Sequence, residues 1–170
     1  MIQKFREHSP KIAESAFVAE NAVLIGDVEI CEDASVWYGA VLRGDSGKIV
    51  LGKGSNIQDN CTVHCDEGTT AQIGEGVTIG HNAIIHGAKL CDNVMVGMGA
   101  TIMNNAVVNS GSIIGAGALV PEGMIIPANS IVVGIPAKII KEASPQQVEN
   151  LKHNAGHYVQ IAKEYKEMEK

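Results

Sequence analysis

An apolar residue returns at nearly every sixth position between residues 13 and 132, and this spacing restricts the possible folds more than any other feature. From Ala13 the chain divides into AESAFV, AENAVL, IGDVEI, CEDASV and WYGAVL, and the fourth place of each unit is small or β-branched. The period is interrupted after Leu42 and after Val63, and the unit from Ile85 to Leu90 is one residue short. One inward side chain per short strand cannot bury an apolar face alone, so the units must stack into a solenoid.

The composition fits a narrow interior built from strands. Isoleucine and valine together number 37, against 6 leucines, 2 Phe, 1 Trp and 3 Tyr. β-Branched side chains pack well on pleated strands, whereas a sandwich around large rings needs more aromatic bulk than this chain has. Glycine, with 19 residues, and asparagine suit tight corners at which φ is positive.

The six-residue pattern resembles the hexapeptide-repeat family. That resemblance implies an all-β solenoid, a left-handed parallel β-helix in which about 18 residues make one turn of three strands. We expect residues 1–140 to form this solenoid. Ser144 and Pro145 are typical of a helix start, and apolar residues then recur at spacings of three and four. Residues 144–170 are therefore predicted to form a C-terminal α-helix, packed on the solenoid or on a neighbouring subunit.

Charge, hydropathy and cysteine use argue against several function classes. The formal net charge of −6 gives a nucleic-acid partner little electrostatic support. No apolar run of about 18 residues suggests a membrane helix, and the N-terminal MIQKFREH lacks the apolar core of a signal peptide. The 4 cysteines form no CxxC pair, so free thiols in a reducing compartment are expected and the predicted location is cytoplasmic.

Two histidines occupy equivalent places in the repeat. His64 follows the inward Val63 and His86 follows the inward Ile85, so each is the second residue of its unit. They are 22 residues apart, and the unit that starts at Val63 is four residues too long. Without that insertion the separation is one turn, so His64 and His86 should lie on adjacent strands about 4.8 Å apart and point outward together.

His81 is the third residue of its own unit and should project from another part of the triangle. One subunit is therefore not expected to bring all three imidazoles together. If subunits pack around a threefold axis, His81 of one can face the His64 and His86 pair of the next, with one site per interface. Three neutral imidazoles with an open fourth position are the ligand set of a catalytic zinc.

Several motifs resemble the γ-class carbonic anhydrase family over nearly the whole chain. They are RGD at 43–45, NIQDN at 56–60, VH at 63–64 and GHNAIIHG at 80–87. The resemblance implies a homotrimer with a metal at each interface, usually zinc, with iron or cobalt as possible substitutes. It also implies that His64 and His86 of one subunit and His81 of the next bind the metal. The implied reaction is hydration of carbon dioxide to bicarbonate by hydroxide formed on that metal.

The resemblance also suggests catalytic roles for neighbouring residues. Gln58 would orient the hydroxide, and Asp45 would pair with Arg43 of a neighbouring subunit. Asp59 would hold Arg43 or support a histidine ligand, as carboxylates commonly do. Tyr158, on the predicted helix, would reach the site or would instead serve only to pack the helix.

The chain departs from the best-studied members just after Asp45, where their acidic proton-carrying loop is replaced by the short Ser46-Gly47-Lys48. Glu67, in the insertion after His64, would then carry protons. Two other functions remain open, namely acyl transfer from an acyl-CoA donor, and a related protein that cleaves thioesters or has no catalytic role. The transferase reading has less support, because such enzymes typically use one catalytic histidine and a long protruding loop.

Overall fold

A computed structural model describes residues 1–168 as a left-handed parallel β-helix followed by one α-helix. The predicted fold class is thereby confirmed. The last two residues of the predicted 144–170 helical segment lie outside the described residues.

The strands are short, apart from two that turn a corner. In chain order they are β1 (Ile2–Gln3), β2 (Lys11–Ile12), β3 (Phe17–Val18), β4 (Val23–Ile30), β5 (Ser35–Val36), β6 (Val41–Leu51), β7 (Asn56–Ile57), β8 (Thr62–His64), β9 (Ala71–Ile73), β10 (Thr78–Ile79), β11 (Ile84–His86), β12 (Lys89–Leu90), β13 (Met95–Val96), β14 (Thr101–Ile102), β15 (Val107–Val108), β16 (Ile113–Ile114), β17 (Leu119–Val120), β18 (Ile125–Ile126), β19 (Ser130–Val133) and β20 (Lys138–Glu142). The helix α1 runs from Pro145 to Met168.

The strands stack into three faces of a prism. The histidine face holds β8, β11, β14 and β17 with the first parts of β4 and β6. A second face holds β9, β12, β15 and β18 with the remaining parts of β4 and β6. The helix face holds β3, β5, β7, β10, β13, β16, β19 and β20. Among residues 1–168, the named strands all pair in parallel except β20, which folds back antiparallel on β19 and closes the solenoid.

The repeat period corresponds to the buried core. The apolar residues at successive sixth positions are all at most 1% exposed; they are Leu24, Ile30, Val36, Leu42, Leu51, Ile57, Val63, Ile73, Ile79, Ile85, Leu90, Val96, Ile102, Val108, Ile114, Val120, Ile126 and Val132. The interruptions are absorbed between strands, since Ile57 pairs with Ile79 across the insertion and Ile79 pairs with Val96 across the short unit. Register is therefore maintained along the whole prism.

Asparagine and glycine occupy the corners, as expected. Asn60 and Asn82 have φ of 59° and 60°, a left-handed conformation that asparagine tolerates better than most residues. Each directly follows a polar residue, Asp59 or His81, so the same sharp turn presents both of those side chains at one edge of the prism.

The helix starts with a reciprocal cap and runs back along the helix face. The Gln147 N–H donates to Ser144 Oγ at 3.3 Å, and the Ser144 N–H donates to Gln147 Oε1 at 3.0 Å. Farther along, the ring of Tyr158 meets Trp37 edge-on with 5.7 Å between centroids. In the part of the chain that the structure describes, no helix is both long enough and apolar enough to cross a membrane. The cytoplasmic location remains a prediction.

Candidate metal centre

His64 and His86 lie side by side on the histidine face. They end β8 and β11, and the strand pairing aligns Val63 with Ile85 and His64 with His86, as the repeat spacing predicts. Because the core residue before each histidine points inward, each imidazole points outward. His64 Nδ1 and His86 Nε2 are 3.1 Å apart.

An ion pair lies behind His64. Asp45 Oδ1 is 3.0 Å from His64 Nε2, and its other oxygen accepts a hydrogen bond of 2.5 Å from Arg43 of the same chain. Burial raises the pKa of Asp45, but the hydrogen bonds from Arg43 and His64 outweigh it and lower that pKa below its ordinary value. A carboxylate only accepts hydrogen bonds, so His64 Nε2 is the donor and, in the neutral ring, Nδ1 keeps its lone pair. Pairing of Arg43 with a neighbouring subunit stays a prediction.

His86 has an indirect acidic partner that the sequence did not reveal. Its Nδ1 is 2.9 Å from Asn104 Oδ1, and Asn104 Nδ2 donates to Asp66 Oδ2 at 2.6 Å. Asp66 lies in the insertion after β8, and Asn104 follows β14 in the next turn. The repeat spacing could have placed Asn104 beside Gly87, but a loop has no such register, and nothing in the sequence shows where Asp66 points.

His81 lies at the opposite edge of the histidine face, in the corner between β10 and β11. Its Nδ1 is 2.9 Å from Asp59 Oδ2, and its backbone N–H donates to Gln58 Oε1 at 3.2 Å. Asp59 and His81 are both third residues of their units, separated by the same 22 residues as His64 and His86. Asp59 therefore contacts His81, while its role in supporting a metal-binding histidine stays a prediction. Within residues 1–168 no side chain hydrogen-bonds His81 Nε2.

A shallow cavity of about 260 Å³ lies beside His81 under the helix. Gln58, His81, Asn154 and Tyr158 are among its lining residues. Burial, and then the negative charge of Asp59, raise the pKa of the Tyr158 hydroxyl, which therefore stays protonated at neutral pH. The helix places Tyr158 at this edge, and its part in the reaction stays a prediction.

The predicted site residues therefore form two groups at opposite edges of one face. The first is Arg43, Asp45, His64 and His86; the second is Gln58, Asp59, His81 and Tyr158. Three side chains among residues 1–168 bring atoms that could bind a metal within 4.8 Å of one another. They are His64, Asp66 and His86. His81 lies outside that cluster. Glu67 is exposed in the loop next to Asp66.

The histidine pair suits a transition metal. When Asp45 and Asn104 accept the ring N–H groups, the lone pairs of His64 Nδ1 and His86 Nε2 face one another, an arrangement that only a cation or a shared proton can stabilise. Two nitrogens bound to tetrahedral zinc at about 2.0–2.1 Å lie about 3.3–3.4 Å apart, close to the 3.1 Å found here. Each ring also has the hydrogen-bonded outer partner typical of metal-binding histidines.

Fold and site together define a hexapeptide-repeat protein with a pair of converging histidines on one face. The bacterial transferase hexapeptide (six repeats) model matches residues 70–104 and 87–122. A Methanocaldococcus jannaschii protein named as a probable carbonic anhydrase is 53% identical over 151 residues, covering 89% of this chain and 95% of that protein. The carbonic anhydrase of Geobacillus kaustophilus is 40% identical, covering 99% and 93%. The chain belongs to the γ-class carbonic anhydrase family.

A solved structure extends the same likeness. A hexapeptide transferase family protein from Anaplasma phagocytophilum superposes with a TM-score of 0.92 at 41% identity, covering 96% of this chain and 97% of that chain. The solenoid and its helix are thus common to proteins whose names refer to different chemistries, so the fold alone does not select the reaction.

Proposed function

We propose that this protein is a metal-dependent lyase that hydrates carbon dioxide to bicarbonate at sites between the subunits of a homotrimer. In each site, His64 and His86 of one subunit and His81 of the next hold the metal, which is zinc, or alternatively iron or cobalt. Bound zinc lowers the pKa of its water to about 7 and so supplies hydroxide at neutral pH.

The observation that supports this proposal most directly is the division of three histidines between two edges of one face. His64 Nδ1 and His86 Nε2 converge at 3.1 Å, while His81 is held at the far edge by Asp59 with Nε2 unused. Neither half alone supplies three imidazole ligands. A threefold arrangement brings opposite edges of neighbouring faces together and completes one site per interface.

The remaining residues orient the reactants and the ligands. Gln58 accepts from the His81 backbone and donates one Nε2 hydrogen to Asn56 Oδ1 at 3.2 Å. The second Nε2 hydrogen remains to orient the attacking oxygen. The protonated Tyr158 hydroxyl, at the wall of the cavity, donates to an oxygen of bicarbonate. Asp45 and Asp59 accept ring N–H groups and keep the opposite ring nitrogens of His64 and His81 as acceptors.

Hydration of each carbon dioxide molecule also releases one proton, which must leave the site. Glu67 is an exposed carboxylate in the insertion after His64, next to Asp66, and we assign it the transfer of that proton to solvent. It lies in the insertion after His64 rather than in an acidic loop after Asp45.

Subunit complementation tests the shared site. His81→Ala removes one half of each site and His64→Ala removes the other, so each homotrimer should bind no metal and hydrate no carbon dioxide. Co-expression of the two variants should restore about a quarter of the sites, because half of the subunits supply each intact half at random. Metal content by mass spectrometry and stopped-flow hydration measure both quantities.

Co-expression of His64→Ala with His86→Ala is the matched control, since neither chain then carries an intact pair and no site should recover. A wild-type protein that is monomeric and metal-free would refute the proposal. A site shared between subunits would be contradicted if the control regained metal and activity. It would also be contradicted if co-expression of His81→Ala with His64→Ala regained neither.

Acyl transfer is the second candidate, favoured by the similarity to the hexapeptide transferase family protein. Thiol release from acetyl-CoA, with and without an amine acceptor, distinguishes transfer and thioester cleavage from hydration. We expect no release, because the histidine set and the carbonic anhydrase relatives agree on the first function.

A further inference from the structure

The third histidine ligand is supported differently from the other two. Asp45 directly contacts a ring nitrogen of His64 and Asp59 directly contacts one of His81. By contrast, His86 Nδ1 meets the amide of Asn104, and Asp66 Oδ1 lies 3.9 Å from the other ring nitrogen. Asn104 accepts at 2.9 Å from His86 Nδ1 through Oδ1 and donates at 2.6 Å to Asp66 through Nδ2.

Donor and acceptor chemistry makes this chain directional. A carboxylate only accepts, so the Asn104 amide must turn its NH₂ group toward Asp66 and its oxygen toward His86. The oxygen also only accepts, so His86 Nδ1 must carry the ring proton. His86 Nε2 is then left with its lone pair, directed at His64 Nδ1 from 3.1 Å.

The surrounding backbone makes room for this arrangement. Gly87 has φ of +56°, and a Cβ on it would lie 2.1 Å from Asn104 Oδ1, so only glycine fits beneath the amide. In the insertion loop, Thr69 donates to the Asp66 carbonyl through both N–H (3.0 Å) and Oγ1 (2.8 Å). This turn holds the Asp66 side chain against Asn104.

We propose that Asp66 and Asn104 form a relay that keeps His86 in its Nδ1–H tautomer and so prepares Nε2 to bind the metal. Asp66 and Asn104 are positioning residues that act through His86, and the metal-binding part of the inference rests on the function proposed above. Loss of an outer partner of a metal-binding histidine typically weakens metal affinity by about 10–100-fold.

Asp66 could alternatively bind the metal itself, since its Oδ1 lies 3.9 Å from His86 Nε2. The two roles differ in what they require. If Asp66 is a metal ligand, the carboxylate must stand at position 66. The relay needs one carboxylate and one amide at positions 66 and 104, and either position can hold the carboxylate. Exchanging the two side chains keeps the charge and the hydrogen bonds but moves the carboxylate to position 104.

The experiment compares Asp66→Ala, Asn104→Leu, the exchange variant D66N/N104D and the control Asn109→Ala. Asn109 lies in the same turn as Asn104, donates to the Ile126 carbonyl of the next turn, and hydrogen-bonds no histidine among residues 1–168. The Co²⁺ dissociation constant is measured by chelator competition. In metal-free protein with ¹⁵N-labelled histidine, nitrogen chemical shifts report which ring nitrogen of His86 carries the proton.

The relay predicts that the two single variants weaken Co²⁺ binding about 10–100-fold and lose the pure Nδ1–H signature of His86. The exchange variant should restore affinity to within about threefold and keep that signature, and Asn109→Ala should change neither measurement. An exchange variant as weak as Asp66→Ala would overturn the relay and show Asp66 to be a ligand. Unchanged tautomer and affinity in the single variants would also overturn it. Wild-type protein that binds no Co²⁺ but holds His86 as Nδ1–H would refute the proposed metal function and leave the tautomer relay supported.

Discussion

Two adjacent isoleucines in β18 test the register on which the whole site depends. Ile126 is 0% exposed inside the prism, whereas Ile125 is 69% exposed on the outer surface. Both lie on the face away from the histidine groups. Replacement of each by alanine removes the same three carbon atoms and the same β-branch, so the pair differs in burial alone.

The expected cost follows from these exposures. At about 0.8 kcal/mol per buried carbon, Ile126→Ala loses about 2.4 kcal/mol by transfer, and the cavity left behind brings the total into a range of about 2–5 kcal/mol. Ile125 has only about a third of its surface buried, so Ile125→Ala should lose about 0.7 kcal/mol. For a chain of this size about 2–4 °C of Tm corresponds to each kcal/mol.

The difference in Tm between the two variants is measured by thermal unfolding, followed by circular dichroism, of protein freed of metal with a chelator. We expect Tm to fall by at least about 5–10 °C for Ile126→Ala and by about 1–3 °C for Ile125→Ala. Equal losses, or a larger loss at position 125, would refute the inward register at every sixth residue. The same result would remove the basis for stacking His64 on His86.

Three further predictions concern single residues outside the core ladder. Burial raises the pKa of Cys61 to about 11. At pH 8 this leaves about a hundredfold less thiolate than a pKa of 9 would. An alkylating reagent should therefore modify the partly exposed Cys91 well before Cys61, as peptide mass spectrometry can measure. The pKa of Asp45 is depressed in the folded state, so its contribution to stability is present above the unfolded pKa and lost as the pH falls through the folded one. Asp45→Asn should thus make Tm fall less steeply below about pH 4 than it does in the wild type. An unchanged fall of Tm at low pH would contradict this prediction. Asn82 has φ of 60°, so Asn82→Ala should lower stability by about 1 kcal/mol while Asn82→Gly lowers it less; similar losses would argue against a strained corner.

Much of this architecture is readable before any coordinates, because a solenoid converts sequence spacing directly into position. The inward hexad residues, the capped helix at Ser144 and the stacking of His64 on His86 all follow from counting. The same spacing also implies that Asp59 and His81 are neighbours, since both are third residues of units one turn apart. That contact was expected only as one of two alternatives.

The repeat spacing does not predict the positions of loop residues or the contacts between side chains far apart in sequence. The sequence predicts a proton-carrying Glu67 in the insertion after His64, and that role stays a prediction. The structure adds that the neighbouring Asp66 is directed toward the histidines. Asn104 is 38 residues from Asp66, and no local propensity connects them. Tyr158 lines the cavity beside His81 only because the helix runs back along its own solenoid.

The sequence by itself determined the prism, its register and the separation of three histidines into a pair and a single residue. It could do so because each repeat contacts only its neighbours, and a fixed period therefore propagates without error along the stack. Only the tertiary structure decided which acid supports which imidazole, and hence which ring nitrogen keeps its lone pair. Those contacts depend on the path of an irregular loop and on the direction of a hydrogen-bond chain, and neither has a period from which it could be read.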